Sequence, residues 1–193
     1  MNYVHRRDAR PFFFTLKAAD AIAFAGPLSE ALLIQASLDP TVERISYCST
    51  LPLDGYDVHA EAPILHRPDS DTLTLVDEIT PGRDPDPGRI AAAAEANSLA
   101  FASISASEVR REPLATTTRV IWRQRFVPVD LSMRLALSQA FAEDGWMTLD
   151  ELCRRVPGPQ NPVFQIMALC CAGLLRIDFS EGFSGDTIVR GPR

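Results

Sequence analysis

Two apolar, β-branched runs flank a short polar turn in the middle of the chain, and this pattern is the strongest constraint on its fold. The runs extend from 58 to 65 and from 73 to 79, and the turn is Pro68-Asp69-Ser70-Asp71. Such runs joined by Pro, Asp and Ser predict a β-hairpin. A third alternating segment, from 42 to 53, predicts a strand that precedes the hairpin. A sheet is therefore expected at the centre of the protein.

Acidic residues lie on or near these predicted strands, where charged side chains are unusual. They are Glu61, Asp69, Asp77 and Glu78. A buried carboxylate costs free energy unless a cation meets it, and a divalent metal held by converging carboxylates is one such cation. Depending on the register of the hairpin, Glu61 would pair with Asp77 or with Glu78. The alternative is a solvated acidic face.

The order of elements around the hairpin resembles that of the TnsA-type transposase endonucleases, restriction-endonuclease-like domains with a PD-(D/E)xK motif. Glu30 stands early in a helix that is predicted to begin at a Ser29 cap and end at Leu38. Glu61 falls near the place of the motif's strand Asp. The acidic tripeptide is Asp77-Glu78-Ile79 or, one residue on, Glu78-Ile79-Thr80. Neither tripeptide ends in Lys, so the motif is degenerate. The helix dipole is an alternative reason for an acid at Glu30.

This resemblance implies a fold, a setting and a set of site residues. The fold would be α/β, with a restriction-endonuclease-like mixed sheet and flanking helices at 1–126 and a winged helix-turn-helix at 127–193. The protein would be a DNA-associated subunit of a mobile element, working beside a transposase or another protein. If it cuts DNA, Mg²⁺ would be bound by Glu61 and Asp77, and Glu30 and Glu78 would complete the catalytic set.

Capping signals independently predict three helices in the last third of the chain. Asp130 begins the first helix, and Gly145 follows its end. Thr148 opens a capping box for the second helix, and Asn161-Pro162 begins the third. Two short strands follow Gly173. Three helices followed by a hairpin are the pattern of a winged helix.

The predicted third helix is the element that would enter a DNA major groove in such a unit. In this chain only its Gln165 could reach a base edge, and the region from 128 to 193 holds eight acids against six arginines. Phosphate contacts need cations. A regulatory or assembly subunit, whose winged helix binds protein without DNA cleavage, is therefore the alternative to a DNA reader.

Positive charge is concentrated in one segment, although the formal net charge of the chain is −6. The segment from 109 to 126 holds the five arginines predicted to bind DNA, which are Arg110, Arg111, Arg119, Arg123 and Arg125. Trp122 lies among them, and a surface of Trp and Arg side chains can bind nucleic acid. The pattern fits a strand or a helix. The basic and then aromatic stretch from 1 to 14 is either a packed strand or an arm that contacts phosphates.

Nothing in the sequence indicates a membrane or an oxidising environment. No apolar run approaches the ~20 residues that a membrane span needs, and Phe12-Phe13-Phe14 is too brief for the core of a signal peptide. The four cysteines form no CxxC motif, which favours reduced, buried thiols. A cytoplasmic protein without membrane contacts is the resulting expectation.

Overall fold

The computed structural model describes residues 11–77, 86–156, 162–179 and 182–191, and within these ranges the chain is a mixed α/β protein. The strands are β1 (Phe12–Phe13), β2 (Ile22–Ala23), β3 (Arg44–Leu53), β4 (Tyr56–His66), β5 (Asp71–Val76), β6 (Ala100–Ile104), β7 (Trp146–Thr148), β8 (Arg176–Ile177) and β9 (Ile188–Arg190). The helices are α1 (Pro27–Leu38), α2 (Pro87–Ala96), α3 (Ala106–Val109), α4 (Leu114–Trp122), α5 (Leu131–Asp144), α6 (Leu149–Arg155) and α7 (Val163–Cys171).

The central sheet has four strands in the order β3-β4-β5-β6, with flanking helices. The first three strands are antiparallel, and β6 returns parallel to β5 after α2. The predicted hairpin is confirmed as β4 and β5. Strands β3 and β4 form a second hairpin, because Asp54 and Gly55 adopt φ of 51° and 83°, the left-handed conformations of a tight two-residue turn.

Apolar side chains pack on both faces of this sheet and form two cores. The smaller core joins α2 to the sheet through residues such as Ile90, Ala93 and Leu73. The larger core contains Ile45 and Leu65 of the sheet together with residues of β1, β2, α1 and α4. It continues without a break into α5, α6 and α7. Apolar packing therefore crosses residues 126 and 127, where the sequence predicts a boundary between two domains.

The C-terminal part forms the three predicted helices, and the predicted caps of the first two are confirmed. The third helix, α7, begins at Val163 with Pro162 as its N-cap, and Asn161 lies outside the described residues. The Asp130 carboxylate accepts a hydrogen bond from the Met133 backbone N–H at 2.7 Å, and the Thr148 hydroxyl accepts one from Glu151 N–H at 3.2 Å. Gly145, with φ of 69°, terminates α5 in the left-handed conformation. Strands β7, β9 and β8 form a three-stranded sheet in that order.

Most of the cysteines lie in the protein interior. The four thiols are free, and Cys48, Cys170 and Cys171 are buried. Burial raises the pKa of Cys48, which keeps that thiol neutral. No helix within the described ranges combines the length and the apolar character needed to cross a bilayer.

Lys17, the single lysine of the chain, terminates α1 from outside the helix. Its Nζ donates hydrogen bonds to the backbone oxygens of Asp39, at 2.5 Å, and Ala36, at 3.3 Å. The last carbonyls of a helix have no partner within the helix, and a cation is favoured at this end of the dipole. Burial nevertheless lowers the pKa of Lys17 from 10.5 to about 8.

This lowered pKa predicts that Lys17 makes stability rise with pH. Between pH 8 and pH 10.5 the unfolded chain binds the proton and the folded protein releases it, so the free energy of unfolding increases across this window. We expect the difference in unfolding free energy between wild type and Lys17→Met to increase over the same range, measured by urea denaturation at each pH. A difference that stays constant or decreases would contradict the burial of this ammonium.

Candidate nucleic-acid interface

Glu30 lies where the sequence placed it, in the first turn of α1, and it is exposed. The helix begins three residues earlier than predicted, because Pro27 occupies its first position and Gly26, rather than Ser29, is the N-cap. Proline is favoured at that position since its missing N–H needs no partner there. The Glu30 carboxylate therefore faces solvent at the positive end of the helix dipole.

The observed pairing of β4 with β5 does not extend as far as Glu61. The turn between β4 and β5 is four residues long, and the paired positions run from His66–Asp71 to Ile64–Leu73. This pairing ends three residues before Glu61, and Glu78 lies outside the described residues, so the pairing of Glu61 with Asp77 or Glu78 stays a prediction. Glu61 also has φ of 46°. It lies in a bulge of β4, where the register against β3 shifts, and a bulge turns a side chain away from the regular alternation.

The described residues include only part of the predicted magnesium site. Across the described part of the chain, no group of three or more His, Cys, Asp or Glu side chains is placed to hold a metal ion. Asp77 is exposed and its N–H binds Ile104 O at 2.9 Å. Glu78 lies outside the described residues. The magnesium site therefore stays a prediction.

Lys17 cannot supply the lysine that the nuclease motif lacks. Its Nζ donates a hydrogen bond to the backbone oxygen of Asp39, and the Asp39 carboxylate lies 3.5 Å from Arg67 Nη2. Arg67 belongs to the turn that precedes β5, so Lys17 lies near that end of the strand. Asp77 lies beyond the opposite end of β5. Six residues of extended strand separate the two ends by about 20 Å.

The five predicted DNA-binding arginines are all exposed. The segment that fitted either a strand or a helix is helical, because α4 runs to Trp122. Its buried face includes Thr118, Ile121 and Trp122. Arg119 and Arg123 follow one another at a spacing of four residues, so they project from the same side of the helix.

The predicted third helix of the C-terminal unit, α7, is largely buried. Its residues from Ile166 to Cys171 are buried, and the helix packs against α4 and α1. Gln165, the candidate for base contact, has its side-chain Oε1 buried, where no described residue donates a hydrogen bond to it. DNA recognition through this helix therefore stays a prediction, which its burial does not favour.

A groove of about 400 Å³ opens where the N-terminal aromatic residues meet the end of α4. We call it the aromatic groove, and its lining includes Phe12, Phe14, Glu30, Trp122, Arg125 and Phe126. Its base is rigid, because Phe13 and Trp122 stack with ring centroids 5.1 Å apart and an angle of 15° between planes. Its rim is open, since Phe12, Phe14 and Phe126 are 59%, 71% and 82% exposed.

Arg125 links the base of the aromatic groove to its rim. Its guanidinium carbon lies 5.1 Å from the Trp122 ring centroid and 4.4 Å from that of Phe126. Its Nη1 also donates a hydrogen bond to Trp122 O at 3.0 Å. Both rings attract the cation through their π faces. The result is a positive charge fixed between aromatic surfaces, in a chain whose net charge is negative.

The residues that line the groove suit ligand binding rather than catalysis by a nucleophilic side chain. Burial raises the pKa of Cys171, which lines its inner side, to about 12, so this thiol is neutral near pH 7 and weakly nucleophilic. Glu30 is an acceptor at the edge of the groove. Aromatic faces, a fixed cation and one carboxylate suit a flat, partly anionic ligand with amino groups.

Sequence reasoning identified Trp122 and Arg125 but missed the phenylalanines that complete the groove. Phe12 and Phe14 are more than a hundred residues from Phe126 in the chain. The available signal was the concentration of apolar rings next to basic residues in both segments. The sequence matches no protein-family model, and no significant match is found among curated proteins or among solved structures.

Proposed function

We propose that this protein binds single-stranded nucleic acid in the aromatic groove, with the exposed arginines of 109–126 contacting phosphates. The observation that carries the proposal is the pair of cation–π contacts of Arg125, which hold a cation between Trp122 and the exposed ring of Phe126. Proteins that bind single strands combine a positively charged surface with aromatic rings on which bases stack. Both features occur here in one short segment of the chain.

A single strand fits the groove better than a duplex. Bases inside a duplex are stacked on one another and show only their edges, whereas unpaired bases expose their faces to aromatic side chains. Phe12, Phe14 and Phe126 offer faces and no donors to read an edge. Glu30 can accept a hydrogen bond from the amino group of a base that stacks there.

The resemblance to TnsA-type proteins gives this binding a setting. We infer a restriction-endonuclease-like core and a C-terminal winged helix, which makes the protein a DNA-associated subunit of a mobile element with a degenerate cleavage site. Support comes from the order α1-β3-β4-β5-α2-β6, in which a helix, a hairpin, a second helix and a short strand follow as the resemblance implies. The order α5-β7-α6-α7-β8-β9 supports the winged helix in the same way. The transposase partner rests on the resemblance alone.

A second candidate function is an assembly subunit that binds a protein through α5. Leu131 and Leu135 lie one turn apart on this helix and are 70% and 57% exposed. A cavity of about 100 Å³, to which the same helix contributes Leu137 and Phe141, is also lined by Leu174, which is 43% exposed. Exposed apolar side chains around a small cavity are typical of a surface that docks a partner.

The direct test is binding of a fluorescent single-stranded DNA oligonucleotide, followed by anisotropy, for wild type and Phe126→Ala. Loss of one stacking ring costs about 1–3 kcal/mol, so we expect the substitution to weaken binding roughly 5- to 150-fold. The same sequence annealed into a duplex should bind more weakly than the single strand.

Tyr56→Ala is the matched control, because this aromatic side chain is 71% exposed and lies on the central sheet outside the groove. It should leave the affinity unchanged. Equal losses in both variants, or tighter binding of the duplex, would refute the groove as the site. A folded wild type that binds neither form would leave the docking surface on α5 as the better candidate.

A further inference from the structure

Three polar side chains on the central sheet form a hydrogen-bonded chain that nucleic-acid binding does not use. Ser46 Oγ lies 2.8 Å from Nε2 of His66. On the other side of the ring, His66 Nδ1 lies 2.7 Å from a carboxylate oxygen of Asp71. A hydroxyl, an imidazole and a carboxylate linked in this order are the arrangement that activates a serine nucleophile.

Strand pairing brings these residues together. His66 of β4 lies opposite Arg44 of β3 on one side and opposite Asp71 of β5 on the other. Ser46 is two residues beyond Arg44, and alternate residues of a strand share a face. Ser46, His66 and Asp71 therefore occupy three adjacent strands on the same face of the sheet.

The contacts determine which ring nitrogen carries the proton. A carboxylate can only accept, so the 2.7 Å contact with Asp71 requires a hydrogen on Nδ1. In the neutral ring Nε2 is then an acceptor, which receives the hydroxyl hydrogen of Ser46. Arg44 Nη2 also lies 3.2 Å from His66 Nδ1. A guanidinium can only donate hydrogen bonds, and a protonated Nδ1 cannot accept one, so Arg44 makes no hydrogen bond to this nitrogen.

We propose that Ser46, His66 and Asp71 form a hydrolytic site for small, activated acyl esters. Ser46 is the nucleophile, His66 the general base, and Asp71 holds the imidazole in the required tautomer. The site is shallow, since the side chains of His66 and Asp71 are 14% and 44% exposed and Ser46 is half-buried. Short acyl groups fit such a shallow surface.

The proposed ester hydrolysis needs no cofactor, because every bond and proton is accounted for by the three residues, the ester and water. As Ser46 Oγ bonds to the ester carbonyl carbon, its proton moves to His66 Nε2. The bond from that carbon to the alkoxide breaks, and His66 gives the proton to the departing alcohol. Water then attacks the acyl carbon with His66 again as base, which releases the carboxylic acid and restores the serine. The sum is ester plus water giving acid plus alcohol.

The test is covalent labelling of the full chain with a fluorescent alkyl fluorophosphonate, in which Ser46 Oγ displaces fluoride from phosphorus. We expect one adduct by intact mass, located on Ser46 by peptide mapping and absent from Ser46→Ala. General-base catalysis contributes about 10²–10⁴-fold, so His66→Gln should slow labelling at least 100-fold. Asp71→Asn should also slow labelling. Because Asp71 is more exposed than His66, this variant still tests the proposal if His66→Gln does not fold.

Ser49→Ala is the matched control, because Ser49 is an exposed serine on the same strand; this variant should label at the wild-type rate. The proposal is overturned if the folded wild type takes no label, if the adduct lies on another residue, or if folded His66→Gln and Asp71→Asn label as fast as wild type. Oligonucleotide binding by Ser46→Ala should equal that of wild type, which separates this site from the aromatic groove.

Discussion

Ile121→Ala is expected to lower the free energy of unfolding by about 2–5 kcal/mol, the cost of removing a large side chain from a close-packed core. Ile121 is fully buried on α4, and its backbone oxygen accepts a hydrogen bond from the Cys171 thiol of α7 at 3.4 Å. It therefore lies where the sheet-forming part of the chain meets the C-terminal helices. For a chain of this size Tm should fall by roughly 4–20 °C.

Because the larger core is continuous through this point, the loss should appear in one cooperative transition, followed by circular dichroism in urea and on heating. Val120→Ala is the matched control. Val120 is the preceding residue and is 41% exposed, so its truncation should change stability by about 0.5 kcal/mol or less. Two separate transitions, with only one of them shifted by Ile121→Ala, would mean that the two parts unfold independently.

The double substitution Arg119→Glu with Arg123→Glu should weaken binding of single-stranded DNA roughly tenfold or more at low ionic strength, since phosphate neutralisation dominates such affinities. Both side chains are exposed, Arg119 in the last turn of α4 and Arg123 at its C-cap. Each phosphate contact on a single strand contributes about 0.7 to the slope of log affinity against log salt. Loss of two contacts should therefore make the slope shallower by about 1.4.

A second charge-reversed pair, Arg154→Glu with Arg190→Glu, separates a local effect from that of total charge. These arginines are also exposed, on α6 and β9, and their reversal changes the net charge by the same amount. Anisotropy titrations at several salt concentrations should show a small change for this pair. Equal losses from both pairs would show that the protein binds through its overall field and not through the α4 segment.

The parts of the fold that the sequence predicted correctly are those fixed by local chemistry. Asp130 and Thr148 cap helices because each side-chain oxygen reaches a backbone N–H three residues away. Gly145 ends α5 because glycine adopts positive φ without strain. Alternating apolar residues around a polar turn likewise sufficed for the hairpin of β4 and β5.

Strand register and helix exposure depended on contacts between distant parts of the chain. The bulge at Glu61 has no marker such as glycine in the sequence, yet it disrupts the alternation on which the predicted acid pair depended. The apolar sequence of α7 suits either a docking face or a core helix. Its burial is decided by α4 and α1, which lie far away in the sequence.

The two sites arise from residues that no local pattern connects. The aromatic groove joins Phe12 to Phe126, and only the packing of Phe13 on Trp122 brings those segments together. Ser46, His66 and Asp71 lie within 26 residues of one another, but their alignment requires the observed register of β3, β4 and β5.

Photo-crosslinking tests the central claim most directly, because it shows where a bound strand lies. A single-stranded oligonucleotide containing 5-iodouracil would be irradiated with the wild-type protein, and the crosslinked peptides identified by mass spectrometry. The aromatic groove predicts crosslinks on the peptides that contain Phe12 to Phe14 and Phe126, competed by unlabelled single strand. Crosslinks confined to the C-terminal strands β8 and β9 or to the central sheet would contradict it.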